Sequence, residues 1–135
     1  MHSQGIHHED IKPKNIVHHG SRIYFTDFSS SRRLEVGQDT SIDSPAIASW
    51  LFAAPEAMSE NGVMLRHGSG TDVYSLGLVF IEMLAVSLGV DIEEMRDSLF
   101  GKTRQNMRYH RVINEVTTFL TKFMSPRVVP ALWEE

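Results

Sequence analysis

The sequence predicts a mainly α-helical protein with one or two small β-hairpins, and three patterns lead to this fold class. Apolar residues recur at three- and four-residue spacing in the second half of the chain, which is typical of helices. Short β-prone stretches flank a His-Gly-Ser turn near residue 20, which is typical of a hairpin. The 135 residues, 41% of them hydrophobic, suffice for one modest core, so a single domain is expected.

Composition excludes several classes of function. The formal net charge is −4, so no cationic field attracts nucleic acid or anionic lipid. Without cysteine the chain forms no disulfide or thiolate zinc site, which is compatible with the cytosol or nucleus. The longest apolar run is interrupted by Glu82 and is shorter than the roughly 20 residues of a membrane helix. We therefore expect an intracellular protein, cytoplasmic or nuclear, with neither a nucleic-acid nor a membrane partner.

The first element is a loop, HHEDIKPKN, which covers residues 7–15. Pro13 lacks a backbone donor and has a fixed φ, so a helix is not expected to continue through it. Imidazole, carboxylate, ammonium and amide groups share this loop, which is therefore either a functional site or a solvated turn.

A short hairpin follows the loop, with strands from Ile16 to His18 and from Arg22 to Thr26. It places Asp27 at the end of its second strand, beside the opening loop. From Ser29 to Ser49 the composition is polar, which predicts a long irregular segment. A short helix is expected within Trp50 to Met58, where Pro55 would occupy an early position.

Three helices are predicted after residue 70. The first covers about residues 72–86, with Thr71 or Asp72 as its cap, and its apolar surface extends nearly all the way round, as in a helix at the centre of a domain. The second covers residues 91–100, and the third lies within residues 105–124. The apolar stripe of the third comprises Val112, Val116, Phe119, Leu120 and Phe123.

Four motifs occur in a fixed order along the chain. HxDxKxxN covers residues 8–15, Asp-Phe covers 27–28, APE covers 54–56 and DVYSLG covers 72–77. This order resembles the C-terminal lobe of a eukaryotic protein kinase of the Ser/Thr type. The resemblance identifies a catalytic loop at 7–15, a DFG-like motif at 27–29, an activation segment at 27–56 and the central helix at about 72–86.

The resemblance implies a site for phosphoryl transfer from ATP with Mg²⁺. Asp10 would orient the substrate hydroxyl and accept its proton, and Lys12 would contact the γ-phosphate. Asn15 and Asp27 would hold Mg²⁺ and thereby the nucleotide. Val17 would form an apolar floor for adenine.

Other residues take structural roles in this resemblance. His8 and Phe28 would stack on each other, and Asp72 would accept hydrogen bonds from the backbone of the catalytic loop. The pair Lys12-Pro13 resembles the residues found at these positions of the loop in Ser/Thr kinases.

Two further structural roles belong to the later part of the chain. Ser49 occupies the position of a residue that bridges the catalytic Asp and Lys. Glu56 would be a buried acid paired with Arg127.

The chain departs from the family pattern at three places. Glu9 replaces an arginine, so a phosphate on the activation segment would meet a carboxylate. Ser29 replaces the glycine of the DFG motif, which would stiffen the hinge at Phe28. The 135 residues contain no glycine-rich loop or strand lysine, so we expect a fragment of a gene or an incompletely predicted reading frame.

The sequence therefore predicts a Ser/Thr protein kinase-like domain that acts on a protein substrate. Its full-length form would transfer the γ-phosphoryl group of ATP, whereas the isolated chain would be very weak or inactive. One alternative is a pseudokinase remnant that binds a partner protein. A second is a metal-binding domain unrelated to kinases, built on His7, His8, His18 and His19.

Overall fold

The computed structural model describes residues 1–33, 47–57, 69–104 and 106–124. The chain forms two compact units, residues 1–79 and 80–135, and the boundary lies within the longest helix. The protein is mostly helical, with small antiparallel sheets, as expected.

Within the described residues, three α-helices and four short strands form the regular structure. The helices are α1 (Ser69–Ser87), α2 (Ile92–Phe100) and α3 (Ile113–Thr121), and the strands are β1 (Ile6–His7), β2 (Ile16–His19), β3 (Arg22–Phe25) and β4 (Arg32–Arg33). Short 3-10 helices lie before and between them, at His2–Gln4, Pro13–Asn15, Phe28–Ser30, Ile47–Phe52, Pro55–Ala57 and Tyr109–Arg111.

The predicted hairpin is confirmed. Strand β2 pairs antiparallel with β3, from Ile16 opposite Phe25 to His19 opposite Arg22. Gly20 occupies the turn with φ of +60°, a conformation that costs little without a Cβ. The backbone amide of Thr26 continues the ladder by donating to the carbonyl of Asn15 at 2.9 Å. The hairpin thus brings the residue before Asp27 against the end of the opening loop.

The segment predicted to be irregular, residues 29–49, contains some regular structure. It begins within a 3-10 turn and continues into β4, which pairs antiparallel with β1. Ile6 lies opposite Arg33, and His7 lies opposite Arg32. Residues 34–46 of the predicted loop lie outside the described part of the chain.

The prediction of one short helix near Pro55 is only partly right. Two separate 3-10 turns cover Ile47–Phe52 and Pro55–Ala57. Ala54 and Ala57 are buried there, with Trp50, Ala53 and Tyr74 packed against them. The hydroxyl of Ser75 donates to the carbonyl of Phe52 at 2.9 Å and so attaches this region to α1.

Helix α1 begins earlier than predicted, and its predicted cap is wrong. Because the helix starts at Ser69, Thr71 and Asp72 lie inside its first turn rather than before it. The carboxylate of Asp72 instead accepts hydrogen bonds from the backbone amides of residues 8 and 9.

The apolar pattern of the helix predicted burial on every side, but the helix is only partly buried. Leu78, Val79 and Ala85 are buried, but other apolar side chains are exposed: Val73, Phe80, Met83, Leu84 and Val86. By length and composition α1 is apolar enough to cross a membrane, a property that core helices of soluble proteins share.

Residues 80–124 contain the remaining two helices. The side chain of Asp91 caps α2 by accepting from the amide of Glu94 at 2.9 Å. In α3, Val116 and Leu120 are buried, as the predicted stripe requires, whereas Phe123 at the end of that stripe is 37% exposed.

A buried acid anchors this second unit and was missed by the sequence analysis. Glu82 in α1 is 5% exposed. It accepts hydrogen bonds from Nε and Nη2 of Arg96 at 3.1 and 2.7 Å and from the hydroxyl of Tyr109 at 2.5 Å. Burial alone would lower the pKa of Arg96, but its hydrogen bonds to Glu82 outweigh this and raise it.

Candidate active site

The opening loop is held in an irregular conformation by its own backbone and by one apolar side chain. Glu9 has a φ of +61°, which lies in the left-handed region, and Pro13 begins a 3-10 turn at its first position. Ile11 is buried, so the loop is anchored at its centre. This conformation lets the side chains on either side of Ile11 meet.

Asp10, Lys12 and Asn15 are in direct contact. Oδ2 of Asp10 accepts from Nζ of Lys12 at 2.8 Å and from Nδ2 of Asn15 at 2.9 Å. Nδ2 of Asn15 also donates to the backbone carbonyl of Asp10 at 2.9 Å. Asp10 and Asn15 are both buried, at 7% and 5% exposure. The loop thus places a carboxylate and an ammonium group side by side in a shielded position.

Asp72 holds the start of this loop from α1. Its Oδ2 accepts from the amide of His8 at 2.8 Å, and its Oδ1 accepts from the amide of Glu9 at 2.9 Å. Nε2 of His2 makes a third contact, with Oδ2 at 2.8 Å. Burial acts to raise the pKa of Asp72, but the hydrogen bonds from His2 and the two amides outweigh it and lower the pKa below its ordinary 3.8. The anchor is therefore a charged carboxylate.

His8 connects the loop to the region of Asp27. Its ring is fully buried, and its Nε2 lies 3.0 Å from the carbonyl of Thr26, while its Nδ1 accepts from the amide of Asp10 at 3.3 Å. The ring lies 4.7 Å from the ring of Phe28 and 6.0 Å from that of Phe25, tilted in both cases. The structure thus brings His8 and Phe28 together, although Phe28 is 45% exposed.

Asp27 is an exposed carboxylate in a constrained backbone position. Its φ is +59°, and the hydroxyl of Ser29 donates to its Oδ1 at 2.6 Å. The side-chain and backbone hydrogen bonds of Ser29 lower the pKa of Asp27, with smaller contributions from the charges of Lys12 and His8. Asp27 is therefore ionised at neutral pH, but one of its oxygens already has a donor.

The donor atoms of Asn15 and Asp27 suit Mg²⁺. Because both contacts of the Asn15 amide to Asp10 use its nitrogen, its oxygen is the atom that remains for a ligand. Asp27 contributes carboxylate oxygens, and oxygen ligands are those that Mg²⁺ prefers. The ammonium of Lys12, 2.8 Å from Oδ2 of Asp10, is the cationic group of this cluster.

The remaining predicted site residues lie outside this cluster or outside the described residues. Val17 is 45% exposed on β2, opposite Tyr24. Ser49 lies in the Ile47–Phe52 turn, and its side chain is not described. Arg127 lies outside the described residues, so its pairing with Glu56 stays a prediction.

The expectation that Glu56 is a buried acid is wrong. Glu56 is exposed, because it lies in a surface turn after Pro55. Its charge still acts on Tyr74, whose pKa is raised by burial first and by Glu56 second.

The four histidines predicted as metal ligands do not form one cluster. His18 and His19 are exposed on the hairpin, whereas the ring of His8 is internal. Within the described residues, one group has its ligand atoms close enough for a metal, and it comprises His2, His7 and Asp72.

Two contacts at the candidate site were missed by the sequence analysis. His2 holds Asp72, and the hydroxyl of Ser29 holds Asp27. The second had a local signal, because a Ser two residues after an Asp is well placed to bond with it. The first joins residues 70 positions apart, so no local pattern indicated it.

The protein kinase domain, as a family, matches residues 1–129 of this chain. A calcium/calmodulin-dependent protein kinase from Metarhizium anisopliae is 26% identical over 135 residues, which cover 96% of this chain and 34% of that relative. The serine/threonine-protein kinase TOS3 from Saccharomyces cerevisiae is 27% identical over 132 residues, which cover 90% of this chain and 23% of TOS3.

A third relative shows the same likeness over a shorter stretch. The cAMP-dependent protein kinase catalytic subunit from Dictyostelium discoideum is 33% identical over 86 residues, 63% of this chain and 12% of that protein. The chain thus spans about a third or less of the length of these three relatives. The family match covers nearly the whole chain, so the alternative of a metal-binding domain unrelated to kinases is wrong. The chain belongs to the protein kinase family.

Proposed function

We propose that the polypeptide carrying this chain is a Ser/Thr protein kinase, which transfers the γ-phosphoryl group of ATP to a protein Ser or Thr hydroxyl. The observation that carries this proposal is the contact of Asp10 with both Lys12 and Asn15, at 2.8 and 2.9 Å. Phosphoryl transfer depends on positioning and charge more than on covalent chemistry, and this cluster supplies both.

Each residue of the cluster has a role in the proposed reaction. The carboxylate of Asp10 orients the substrate hydroxyl and takes its proton as the hydroxyl oxygen bonds to the γ-phosphorus. The bond from that phosphorus to the bridging oxygen breaks, and ADP leaves. The ammonium of Lys12 stabilises the charge on the phosphoryl oxygens.

Asn15 and Asp27 would hold Mg²⁺ through their oxygens. When bound, Mg²⁺ supplies positive charge to the phosphates and orients them. Asp72 does not touch the reactants in this proposal. It positions the loop through the amides of His8 and Glu9, so it is a positioning residue.

Residues 1–135 are expected to transfer phosphate slowly by themselves. They contain no glycine-rich loop and no strand lysine to clamp the α- and β-phosphates. Groups that position reactants contribute several orders of magnitude to rate, so a polypeptide that supplies them should be much faster.

A silent binding module is the second candidate, and the structure offers a specific reason for it. The hydroxyl of Ser29, at 2.6 Å, occupies Oδ1 of Asp27, the residue proposed to hold the metal. A metal must compete with this hydrogen bond. In this alternative the chain binds a partner protein without catalysis. For both candidates we propose that the protein bound, as substrate or as partner, is in the cytoplasm or nucleus.

The melting temperature of the longest expressed polypeptide that contains these residues, measured with ATP and Mg²⁺, distinguishes the two candidates. A ligand that binds only the folded state raises the melting temperature, so the kinase proposal expects an increase at millimolar nucleotide. Asp27→Asn and Asn15→Leu should each abolish this increase. Glu115→Gln, an exposed acid on α3, should keep it.

The outcomes separate clearly. An increase that requires Asp27 and Asn15 supports the nucleotide site. An absence of any shift in that folded polypeptide supports the silent module. A shift that persists in both variants would place nucleotide binding elsewhere and overturn the proposed site.

A further inference from the structure

Two histidines near the start of the chain lie next to each other beside α1. His2 begins a 3-10 turn, and His7 ends strand β1. Their rings are stacked, with centroids 5.2 Å apart and planes inclined by 25°. The turn at Gly5, with φ of 70°, brings the two residues together.

The carboxylate of Asp72 completes this cluster. One ligand atom from each of His2, His7 and Asp72 lies within 4.8 Å of the other two. Asp72 is almost fully buried, whereas the side chain of His2 is 32% exposed. The cluster is therefore exposed to solvent on the side of His2 and has the buried, charged carboxylate of Asp72 on its inner side.

His7 is the unexplained member of the cluster. Its Nδ1 is buried and has no hydrogen-bond partner among the described residues. A buried polar atom without a partner costs free energy, so such atoms normally have one. The proposed phosphoryl transfer also gives His7 no role.

We propose that His2, His7 and Asp72 bind a transition-metal ion, with Zn²⁺ as the representative ion. Two imidazoles and one carboxylate form a donor set that suits zinc, whereas Mg²⁺ prefers oxygen ligands alone. Three protein ligands leave a fourth tetrahedral position for water, on the exposed side of His2. Atoms bound to zinc lie about 3.3 Å apart in this geometry, so small side-chain rotations complete the site.

Metal binding at this position keeps the anchor of the catalytic loop. The amide of Glu9 bonds to Oδ1 of Asp72, which the metal does not need. The metal replaces the hydrogen bond between His2 and Oδ2 at 2.8 Å, and the amide of His8 keeps its own. The ion would therefore tie the start of the chain to α1 and stabilise the loop that carries Asp10.

The test is a titration of the untagged chain with Zn²⁺, followed by calorimetry and melting temperature. We expect one strong site per chain and a melting temperature several degrees higher with metal. Co²⁺ in place of Zn²⁺ should give visible absorption typical of a tetrahedral site. His7→Ile fills the position with a β-prone apolar side chain and should lower the affinity roughly tenfold or more.

His2→Gln and a double hairpin variant complete the design. His2→Gln retains a donor for Asp72 but loses the imidazole, so it should keep the fold by circular dichroism and lose the strong site. His18→Ala with His19→Ala removes the exposed hairpin histidines and should change nothing. Absence of a strong site in the wild-type chain, unchanged affinity in folded His7→Ile or His2→Gln, or loss of the site in the hairpin variant would each overturn the proposal.

Discussion

Asp72 accepts a hydrogen bond from the backbone amide of Glu9 at 2.9 Å, although 63 positions separate the two residues. The same carboxylate accepts from the amide of His8. One side chain of α1 thus fixes the backbone at the start of the loop that presents Asp10. The geometry of the candidate site depends on this contact more than on any local preference of the loop.

Asp72→Asn should destabilise the folded chain by about 2 kcal/mol. Hydrogen bonds to a charged acceptor contribute about 1.5–3 kcal/mol, and an amide cannot replace both carboxylate oxygens as an acceptor. The free energy of unfolding in urea measures the effect. Glu115→Gln makes the same chemical change at an exposed site and should cost less than about 0.5 kcal/mol. Equal losses in the two variants would contradict the anchoring role.

The stabilisation by Asp72 should disappear in acid. The hydrogen bonds hold the pKa of folded Asp72 below its ordinary 3.8, so the charged carboxylate stabilises the fold above that pH. This contribution is lost as the pH falls from 3.8 through the lower folded pKa. The melting temperatures of wild type and Asp72→Asn should therefore differ at neutral pH and converge in strong acid. A difference that is independent of pH would show that the charge of Asp72 is not the cause.

Ser29→Ala should strengthen metal binding at Asp27. The change removes the hydroxyl that donates to Oδ1 at 2.6 Å, so a metal no longer competes with that hydrogen bond. The carboxylate of Asp27 is ionised but exposed, so solvent weakens this hydrogen bond, and we expect a severalfold gain in Mg²⁺ affinity. Calorimetric titration with Mg²⁺ and ATP measures it, and Ser30→Ala is the matched control. Equal or weaker binding in Ser29→Ala would show that Ser29 does not limit the site.

Glu82→Ala should be among the most damaging substitutions in the second unit. It leaves Arg96 and the hydroxyl of Tyr109 without the buried acid that both contact, and breaking a buried ion pair costs about 3–5 kcal/mol.

Glu93→Ala is the matched control for this substitution. Glu93 also pairs with Arg96 but is 57% exposed, so its loss should cost less than about 1 kcal/mol. Denaturation of both variants in urea makes the comparison, and a smaller loss for Glu82→Ala than for Glu93→Ala would contradict the structural role of Glu82.

Elements with a periodic local pattern were predicted well from the sequence. The hairpin at residues 16–25 and helices α2 and α3 follow from alternation or from three- and four-residue spacing. Strands β1 and β4 were not predicted, because two residues each are too few to show a period. The predicted cap of α1 was wrong. Asp is a favoured N-cap residue, but the carboxylate of Asp72 instead accepts hydrogen bonds from a loop distant in the sequence.

Only part of the candidate site could be predicted from local sequence patterns. The residues at 10, 12 and 15 lie within one loop, and their spacing in a known motif indicated the cluster. The partners of Asp72 and Glu82 lie tens of positions away or on other helices, so only packing reveals them. The apolar surface of α1 predicted burial on every side, but the sequence does not specify which residues cover it.

Phosphoryl transfer by the longest expressed polypeptide that contains these residues tests the central claim most directly. The measurement is incorporation of labelled γ-phosphate from ATP into a Ser/Thr-containing protein, for wild type and Asp10→Asn. We expect transfer by the wild type and a loss of about 10²–10⁴-fold in the variant, because Asp10 would no longer accept the hydroxyl proton. Equal transfer by a folded Asp10→Asn variant, or no transfer by a wild-type polypeptide that binds ATP and Mg²⁺, would contradict the account.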